Sequence, residues 1–222
     1  MYGSMEFIPK LTYKANEMKK LTLTITGRNQ IRLNNPQTVD PLNKYAIQLK
    51  AFTNIHHSRR DEEHHMKMRD VEIKSKLYWD DNLGVYVPSS WIMEAIAKES
   101  FAQVKVSKAK MRSAIFMDNT KIKLYYNGEE SVKTFEDVAL NPKFRTIENI
   151  KQGQVRIIKA IPQFTNWSMK ISFDFDDSVY SEQEIKRILQ VAVRRNGFGD
   201  FRPTFGCGTI TEWKIEDEQE VA

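Results

Sequence analysis

The chain has 222 residues, of which 41% are hydrophobic and 28% charged, so it can bury one substantial core and has the composition of a globular protein. Its apolar runs fall well short of the roughly 18–20 residues needed to span a bilayer, which argues against a membrane protein. The net charge is +5, although residues 216–222 contain four acidic residues and no basic one. The remainder is therefore more basic still, and a polyanion becomes a candidate partner.

Both chain ends are predicted to lie outside the folded core. Residues 1–17 begin with Met-Tyr-Gly-Ser, which is typical of an expression-tag remnant and lacks the apolar core of a signal peptide. The single cysteine, Cys207, cannot form an intramolecular disulfide, so we predict a reducing, cytoplasmic setting. We expect a flexible segment at 1–17, a single domain at 18–215 and an acidic tail at 216–222.

Hydrophobic periodicity predicts the elements of the N-terminal half. Residues 20–26 alternate as a half-buried strand. A helix should follow, with Asp40 as its N-cap and Pro41 as its first residue, and a second, largely solvated helix should begin near Asp61. We interpret residues 36–76 as a helical insertion. The next predicted elements are a hairpin over 77–87, an apolar helix after Pro88, and strands at 114–117 and 122–126.

The C-terminal half contains clearer signals. Residues 129–152 show no period, and residues 154–161 are predicted to form a strand that Pro162 ends. The alternation from Met169 to Phe175 is typical of a strand with one buried face. Ser181 and Glu184 match a capping box at the start of the last helix, which should end near residue 195 and precede a final strand at 209–215.

A glycine-rich segment, NGFGDFRPTFGCG at residues 196–208, connects the last helix to the last strand. In phosphate-binding nucleotide loops the order is strand, glycine loop, helix, so that free amides at a helix N-terminus meet the phosphate. Here the loop follows a helix C-terminus, where the dipole is negative, and that kind of nucleotide binding is rejected. The structural interpretation is a tight turn formed by four residues: Gly197, Gly199, Asp200 and Gly206.

Basic side chains offer another way to bind phosphate. Arg194, Arg195 and Arg202 flank the glycine segment, and guanidinium groups suit phosphate oxygens. Other basic residues could join them in a groove that neutralises a single-stranded backbone, with Tyr125, Tyr126 or Phe164 stacking on bases. The alternative is that the cations are ordinary solvent-facing residues and the aromatics are core. The further candidates are Lys105, Lys108, Lys110, Arg112, Arg156 and Lys159.

The order of these motifs resembles the RAMP superfamily, the RNA-binding backbone and processing subunits of CRISPR systems. The resemblance rests on the Phe173-Asp-Phe175 strand, the amphipathic helix after it and the Gly197–Gly206 loop, and it covers most of residues 18–214. It is supported by Leu83–Pro88 before the first core helix and by Pro162-x-Phe-x-x-Trp167, and it is nearest to a phage and prophage family of this type. The chain departs from that pattern at Cys207-Gly208.

The resemblance implies a fold and a function. The implied fold is α+β, a modified ferredoxin-like (RAMP/RRM-like) antiparallel sheet with helices on one face and a helical insertion. The implied partners are single-stranded nucleic acid and further copies of the same chain, in a homo-oligomer or filament. No cofactor and no membrane are expected.

All four histidines lie between His56 and His65. On a continuous helix His57, Asp61 and His64 would share a face and could bind a metal, but a helix that starts at Asp61 would break this face, so we predict no metal site. His57 is also the candidate for a general base acting on a ribose hydroxyl, as the resemblance to RAMP processing enzymes suggests.

These observations predict a sequence-tolerant protein that binds the backbone of single-stranded RNA or DNA and is not an enzyme. Two alternatives come from other classes. One is a metal-independent endoribonuclease that uses a histidine. The other is a phage protein-interaction factor, for assembly or counter-defence, that binds no nucleic acid.

Overall fold

The computed structural model describes residues 18–217, and the predictions for residues 1–17 and for 218–222 of the acidic tail lie outside the described residues. The strands in chain order are β1 (Met18–Gly27), β2 (Ile31–Arg32), β3 (Trp79–Asp80), β4 (Gly84–Pro88), β5 (Ile115–Met117), β6 (Lys121–Lys123), β7 (Arg145–Gln152), β8 (Val155–Phe164), β9 (Ser168–Asp176) and β10 (Gly208–Asp217). The α-helices are α1 (Lys44–Asn54), α2 (Glu62–Lys76), α3 (Ser89–Val104), α4 (Lys108–Ala114), α5 (Phe135–Ala139) and α6 (Glu182–Val191).

The main sheet has four antiparallel strands in the order β10-β1-β9-β5. One face is buried because every second residue of the two central strands is apolar, for example Leu21 and Leu23 on β1 and Phe173 on β9. Helices α3 and α6 pack against each other and contribute Ile96 and Ile188 to the same core. The path β1-α3-β5-β9-α6-β10 with this strand order is the ferredoxin-like arrangement, and the predicted α+β fold class is confirmed.

The other face of this sheet is polar. Threonine side chains on β1 point outward and form hydrogen bonds with neighbouring strands: Thr22 with Ser172 at 3.2 Å and Thr26 with Thr211 at 3.1 Å. Lys20 on the same face lies 2.9 Å from a carboxylate oxygen of Asp118. The central strands β1 and β9 therefore carry hydroxyls and charges here instead of aromatic rings.

A second sheet, in the order β2-β8-β7, contains a long hairpin that the sequence predicts only in part. Strand β7 lies where no period is visible, because its residues alternate between partial exposure and exposure instead of burial. The prediction that Pro162 ends the next strand is wrong, since β8 continues to Phe164. Pro162 is tolerated because it lies opposite Arg145, the first residue of β7, while its carbonyl accepts a hydrogen bond from Leu33.

The segment between β2 and β3 is helical, as the insertion hypothesis requires. Helices α1 and α2 pack against each other, and Asp61 caps α2 as expected, its carboxylate accepting from the His64 amide at 2.8 Å. Asp40 is not the cap of α1. The helix begins at Lys44, because the side chain of Asn43 caps it by accepting from the amide of Tyr45 at 2.9 Å.

The remaining elements complete the core. The predicted hairpin is confirmed as β3 and β4, which join β6 in a third sheet. The predicted strand at 122–126 is shorter than expected, with Tyr125 making only an isolated bridge to Ser168. Helix α4 occupies much of the basic run after α3, and within residues 18–217 no helix is long and apolar enough to cross a bilayer.

Candidate nucleic-acid interface

The glycine segment is a docked turn, as its sequence predicts. Gly197, Gly199 and Gly206 all have positive φ, at 66°, 83° and 76°. A Cβ on Gly199 would lie 2.3 Å from the carbonyl oxygen of Arg32, so only glycine allows this approach. The Asp200 amide donates to the same carbonyl at 2.9 Å. The loop is therefore fixed against the backbone of β2.

Side chains of the glycine segment also stabilise its conformation. The Asp200 carboxylate accepts a hydrogen bond from the Phe201 amide at 3.0 Å, which is the turn-capping role predicted for it. Phe198 is buried in the core, whereas Phe205 and Phe201 contact a cation instead. The guanidinium carbon of Arg32 lies 3.6 Å from the centroid of Phe205 and 5.2 Å from that of Phe201.

Arg32 also connects the loop to the β7–β8 hairpin, which sequence reasoning did not foresee. Its side chain is almost fully buried, forms an ion pair with Glu148 on β7 and donates to Gln163 on β8 at 2.9 Å. A buried arginine requires such partners, because an unpaired charge in the interior is strongly destabilising. The available signal was an arginine between the apolar Ile31 and Leu33.

A groove of about 390 Å³ lies between α3 and the glycine loop. It brings together two of the predicted residues, Arg195 and Arg202, and adds Lys98, which was not predicted. Among the described residues that line it, Glu94 is the one acidic residue. Within residues 18–217 neither arginine forms an ion pair with a carboxylate. The groove therefore presents an excess of positive charge to an anionic ligand.

Asn196, at the end of the π-helical turn Ala192–Asn196 that follows α6, holds Lys98 in this groove. The Lys98 ammonium donates to the amide oxygen of Asn196 at 3.1 Å. The amide nitrogen donates to Glu99 at 2.7 Å, and Glu99 is a buried carboxylate of α3. The role of Lys98 was difficult to detect in the sequence, because a lysine in an apolar helix is usually an ordinary solvent-facing residue.

The other predicted basic residues are distributed over separate elements. Arg194 is exposed on the same turn as Arg195, but it does not line the groove. Lys105 caps the end of α3 in a left-handed conformation, with its ammonium 5.6 Å from the ring of Phe101. The last three lie exposed on α4, which packs against α3: Lys108, Lys110 and Arg112.

The two candidates on β8 have different surroundings. Arg156 is exposed near the hairpin tip, opposite Lys151 on β7. The ammonium of Lys159 instead lies 2.9 Å from a carboxylate oxygen of Glu72, whose other oxygen accepts from the Ala160 amide. Because Glu72 is buried, Lys159 neutralises a charge inside the protein, and it is left out of the proposed interface.

Two of the three predicted stacking residues are core residues. Tyr126 and Phe164 are 7% and 1% exposed and pack on each other with ring centroids 4.6 Å apart. Burial raises the pKa of Tyr126 well above its ordinary value. Tyr125 is 46% exposed, with the Lys123 ammonium 4.9 Å from its ring centroid, so it alone of the three presents a ring to solvent.

The histidine segment is not assembled as a metal site. His57 lies in the 3-10 turn His57–Arg59, before α2, and its ring lies 4.2 Å from that of His56. Asp61 is occupied as a helix cap, and the His64 ring packs edge-on against Phe52 at 5.1 Å. Among the described residues, no three His, Cys, Asp or Glu side chains are grouped as metal ligands.

Cys207 marks the end of the glycine loop and has no feature of a nucleophile. Its thiol donates to the carbonyl oxygen of Pro203 at 3.1 Å, and burial raises the pKa of that thiol. A protonated thiol is a poor nucleophile.

Together the ferredoxin-like core and the docked glycine loop define a RAMP-like fold. Comparisons with known protein families and with curated proteins found no match. Among solved structures, the chain is similar to a chain in the cryo-EM structure of the Type III-B Cmr-beta complex bound to cognate target RNA, with a TM-score of 0.50 and 7% identity. The match covers 90% of this chain but only 61% of the other, and at this identity it shows the likeness of the fold alone.

Proposed function

We propose that this protein binds single-stranded nucleic acid along its phosphate backbone, with little sequence preference. The observation that carries this proposal is the groove beside the glycine loop, where Lys98, Arg195 and Arg202 face an open volume with one opposing carboxylate. Three cations at close quarters suit successive phosphates of a strand. They also offset the negative end of the helix that precedes the loop.

The composition of the open face of the main sheet favours binding to the phosphate backbone over base stacking. Sheet proteins that read single strands by base stacking present aromatic rings on their central strands. Here the outward residues of β1 and β9 are polar, and hydroxyls such as those of Thr22 and Ser172 form hydrogen bonds with each other. A backbone contact is tolerant of sequence, because the phosphates carry no base information.

The test is fluorescence anisotropy with labelled single-stranded RNA and DNA over a range of salt concentrations. Binding should weaken as salt rises, and Arg195→Ala with Arg202→Ala should lower the slope of log K against log salt by about 1.4 for a single strand. Lys50→Ala with Lys67→Ala, at two exposed lysines on α1 and α2, is the charge-matched control and should behave as wild type. Absent binding, or an unchanged slope in the double variant, would refute the proposal.

We also propose that copies assemble side by side on a strand. The support is the β7–β8 hairpin, where Ile147 and Ile158 are 46% and 54% exposed and lie on the same face, because Ile147 pairs with Ala160, two residues from Ile158. Apolar side chains grouped at the surface commonly mark a protein contact. Size-exclusion chromatography with light scattering should show more copies on a long strand than on a short one. One copy on every length would contradict this assembly.

The proposed activity is binding without catalysis. If the labelled RNA is cut on prolonged incubation and His57→Ala abolishes the cutting, the endoribonuclease alternative replaces it. A purified protein that binds no strand but retains a stable protein partner would instead support the interaction-factor alternative. The phage origin and the cytoplasmic location stay predictions.

A further inference from the structure

A second cavity, of about 400 Å³, lies where the α1–α2 pair meets the third sheet and α5. Within residues 18–217, none of the residues that line it also lines the basic groove. Its most frequent lining type is aromatic, with Tyr45, Trp79, Tyr86 and Phe135 contributing side chains. A cavity of this size can hold a small molecule, and the aromatic residues offer surface to a planar ligand.

The aromatic wall is held in place by its own contacts. The rings of Trp79 and Phe135 meet edge to face, with centroids 6.0 Å apart. The Trp79 indole N–H donates to the carboxylate of Asp81 at 2.9 Å, so the indole is oriented by a hydrogen bond. Both rings are partly exposed. They can therefore contact a planar ring without prior rearrangement.

Two lysines and two carboxylates, Asp81 and Glu136, line the cavity, and the Asp81 carboxylate is already bonded to the Trp79 indole. The Lys44 ammonium lies 4.8 Å from the ring of Tyr45, and within residues 18–217 it has no carboxylate partner. The Lys74 ammonium is 4.0 Å from a carboxylate oxygen of Glu136, at the limit of an ion pair, so it can turn to another anion. Phosphate is an anion that lysine binds readily.

Two amides can add base recognition. The side-chain amide nitrogens of Asn35 and Gln37 donate to the carbonyls of Leu77 and Ser75, at 3.2 and 2.7 Å. Each amide nitrogen has a second hydrogen that these bonds do not use. An aromatic wall, two cations and two amide donors together match a planar heterocycle that carries a phosphate.

We propose that this cavity binds one nucleoside monophosphate unit, with the base against Trp79 and Phe135 and the phosphate near Lys44 and Lys74. The unit can be a free nucleotide or the terminal nucleotide of a strand, since both present the same chemistry. The site goes beyond the proposed backbone contact, because it would bind a base in a cavity of its own.

The test is isothermal titration calorimetry with adenosine, guanosine, cytidine and uridine 5′-monophosphates, with adenosine and inorganic phosphate as partial ligands. At least one monophosphate should bind more tightly than either partial ligand. Phe135→Leu and Lys74→Gln should each weaken binding at least about fivefold. Lys44→Gln, at an exposed position in the first turn of α1, should weaken it as well. Lys170→Gln is the control.

Two further experiments distinguish a free nucleotide from the end of a strand, and the aromatic cavity from the basic groove. If a short strand with a 5′-phosphate displaces the bound mononucleotide, the cavity recognises the end of a strand. If only other mononucleotides displace it, the ligand is a free nucleotide. Arg195→Ala with Arg202→Ala should leave mononucleotide binding unchanged, so the cavity and the groove can fail independently. No binding of any monophosphate, or binding lost only in that double variant, would overturn the proposal.

Discussion

Gly199 shows how a single missing Cβ positions the candidate interface. Its φ is positive and a Cβ on it would lie 2.3 Å from the Arg32 carbonyl oxygen, so a side chain there meets both strain and a backbone clash. We expect Gly199→Ala to lower the free energy of unfolding by about 1–3 kcal/mol, measured by urea denaturation.

Gly153 is a matched control for this prediction. It has a φ of 62°, and a methyl group at this position would have nothing within 4 Å, so Gly153→Ala carries the strain without the clash. Its expected loss is about 1 kcal/mol. Equal losses in the two variants would show that the approach to Arg32 is not what requires glycine at position 199.

Residues of the site differ in how far the sequence could foretell them. Arg195 and Arg202 were found because they flank a glycine-rich turn, and the turn itself is encoded locally. Lys98 and Arg32 were not, because their roles depend on contacts with Asn196 and Glu148, which are distant in sequence. Phe164 was a stacking candidate because the strand was predicted to end at Pro162, whereas β8 continues to Phe164 and buries its ring.

At the scale of elements, helix α6 offers a test of its capping box. The Ser181 hydroxyl accepts from the Glu184 amide, and the Glu184 carboxylate accepts from the Ser181 amide at 2.9 Å. We expect Glu184→Ala to lower the free energy of unfolding by about 0.5–1 kcal/mol at neutral pH. Gln183→Ala, on the exposed side of the same turn, should have a smaller effect.

The effect of Glu184→Ala should depend on pH. Hydrogen bonds from Ser181, chiefly from its backbone N–H, hold the pKa of the Glu184 carboxyl below its ordinary value of 4.5. A pKa lowered in the folded state means that this stabilisation is fully present above pH 4.5 and is lost as the pH falls through the folded-state value. The difference between variant and wild type should therefore narrow in acid, and a constant difference would contradict this account.

Elements with local signals were predictable and those with distant partners were not. The alternation in β9 and the box in α6 are written in consecutive residues, and both are confirmed. Strand β7 alternates only between partly exposed and exposed residues, with Ile147 46% exposed, so its pairing with β8 could not be seen in advance. Asn43 replaced Asp40 as the cap of α1 because a 3-10 turn (Pro36–Val39) precedes the helix.

At the scale of the whole molecule, replacing exposed residues of the β7–β8 hairpin should affect assembly on a strand much more than it affects folding stability. Ile147→Ser with Ile158→Ser should lower the free energy of unfolding by about 1 kcal/mol or less, because both side chains are already exposed and the main loss is strand propensity. The same variant should carry fewer copies on a long strand, as measured by light scattering. Val39→Ser, at an 81% exposed apolar residue elsewhere, is the control, and an equal loss of copies in it would argue against a specific hairpin contact.

The Arg32 side chain connects the β7–β8 hairpin to the glycine loop. Its guanidinium forms an ion pair with Glu148 on the hairpin, and the same group makes a cation–π contact with Phe205 in the glycine loop. Displacement of the hairpin by a neighbouring molecule would therefore act on the loop that carries Arg202 through this side chain, in addition to the backbone hydrogen bond that fixes the loop to β2. Binding of a neighbouring molecule at the hairpin would thereby be coupled to the conformation of the glycine loop beside the basic groove.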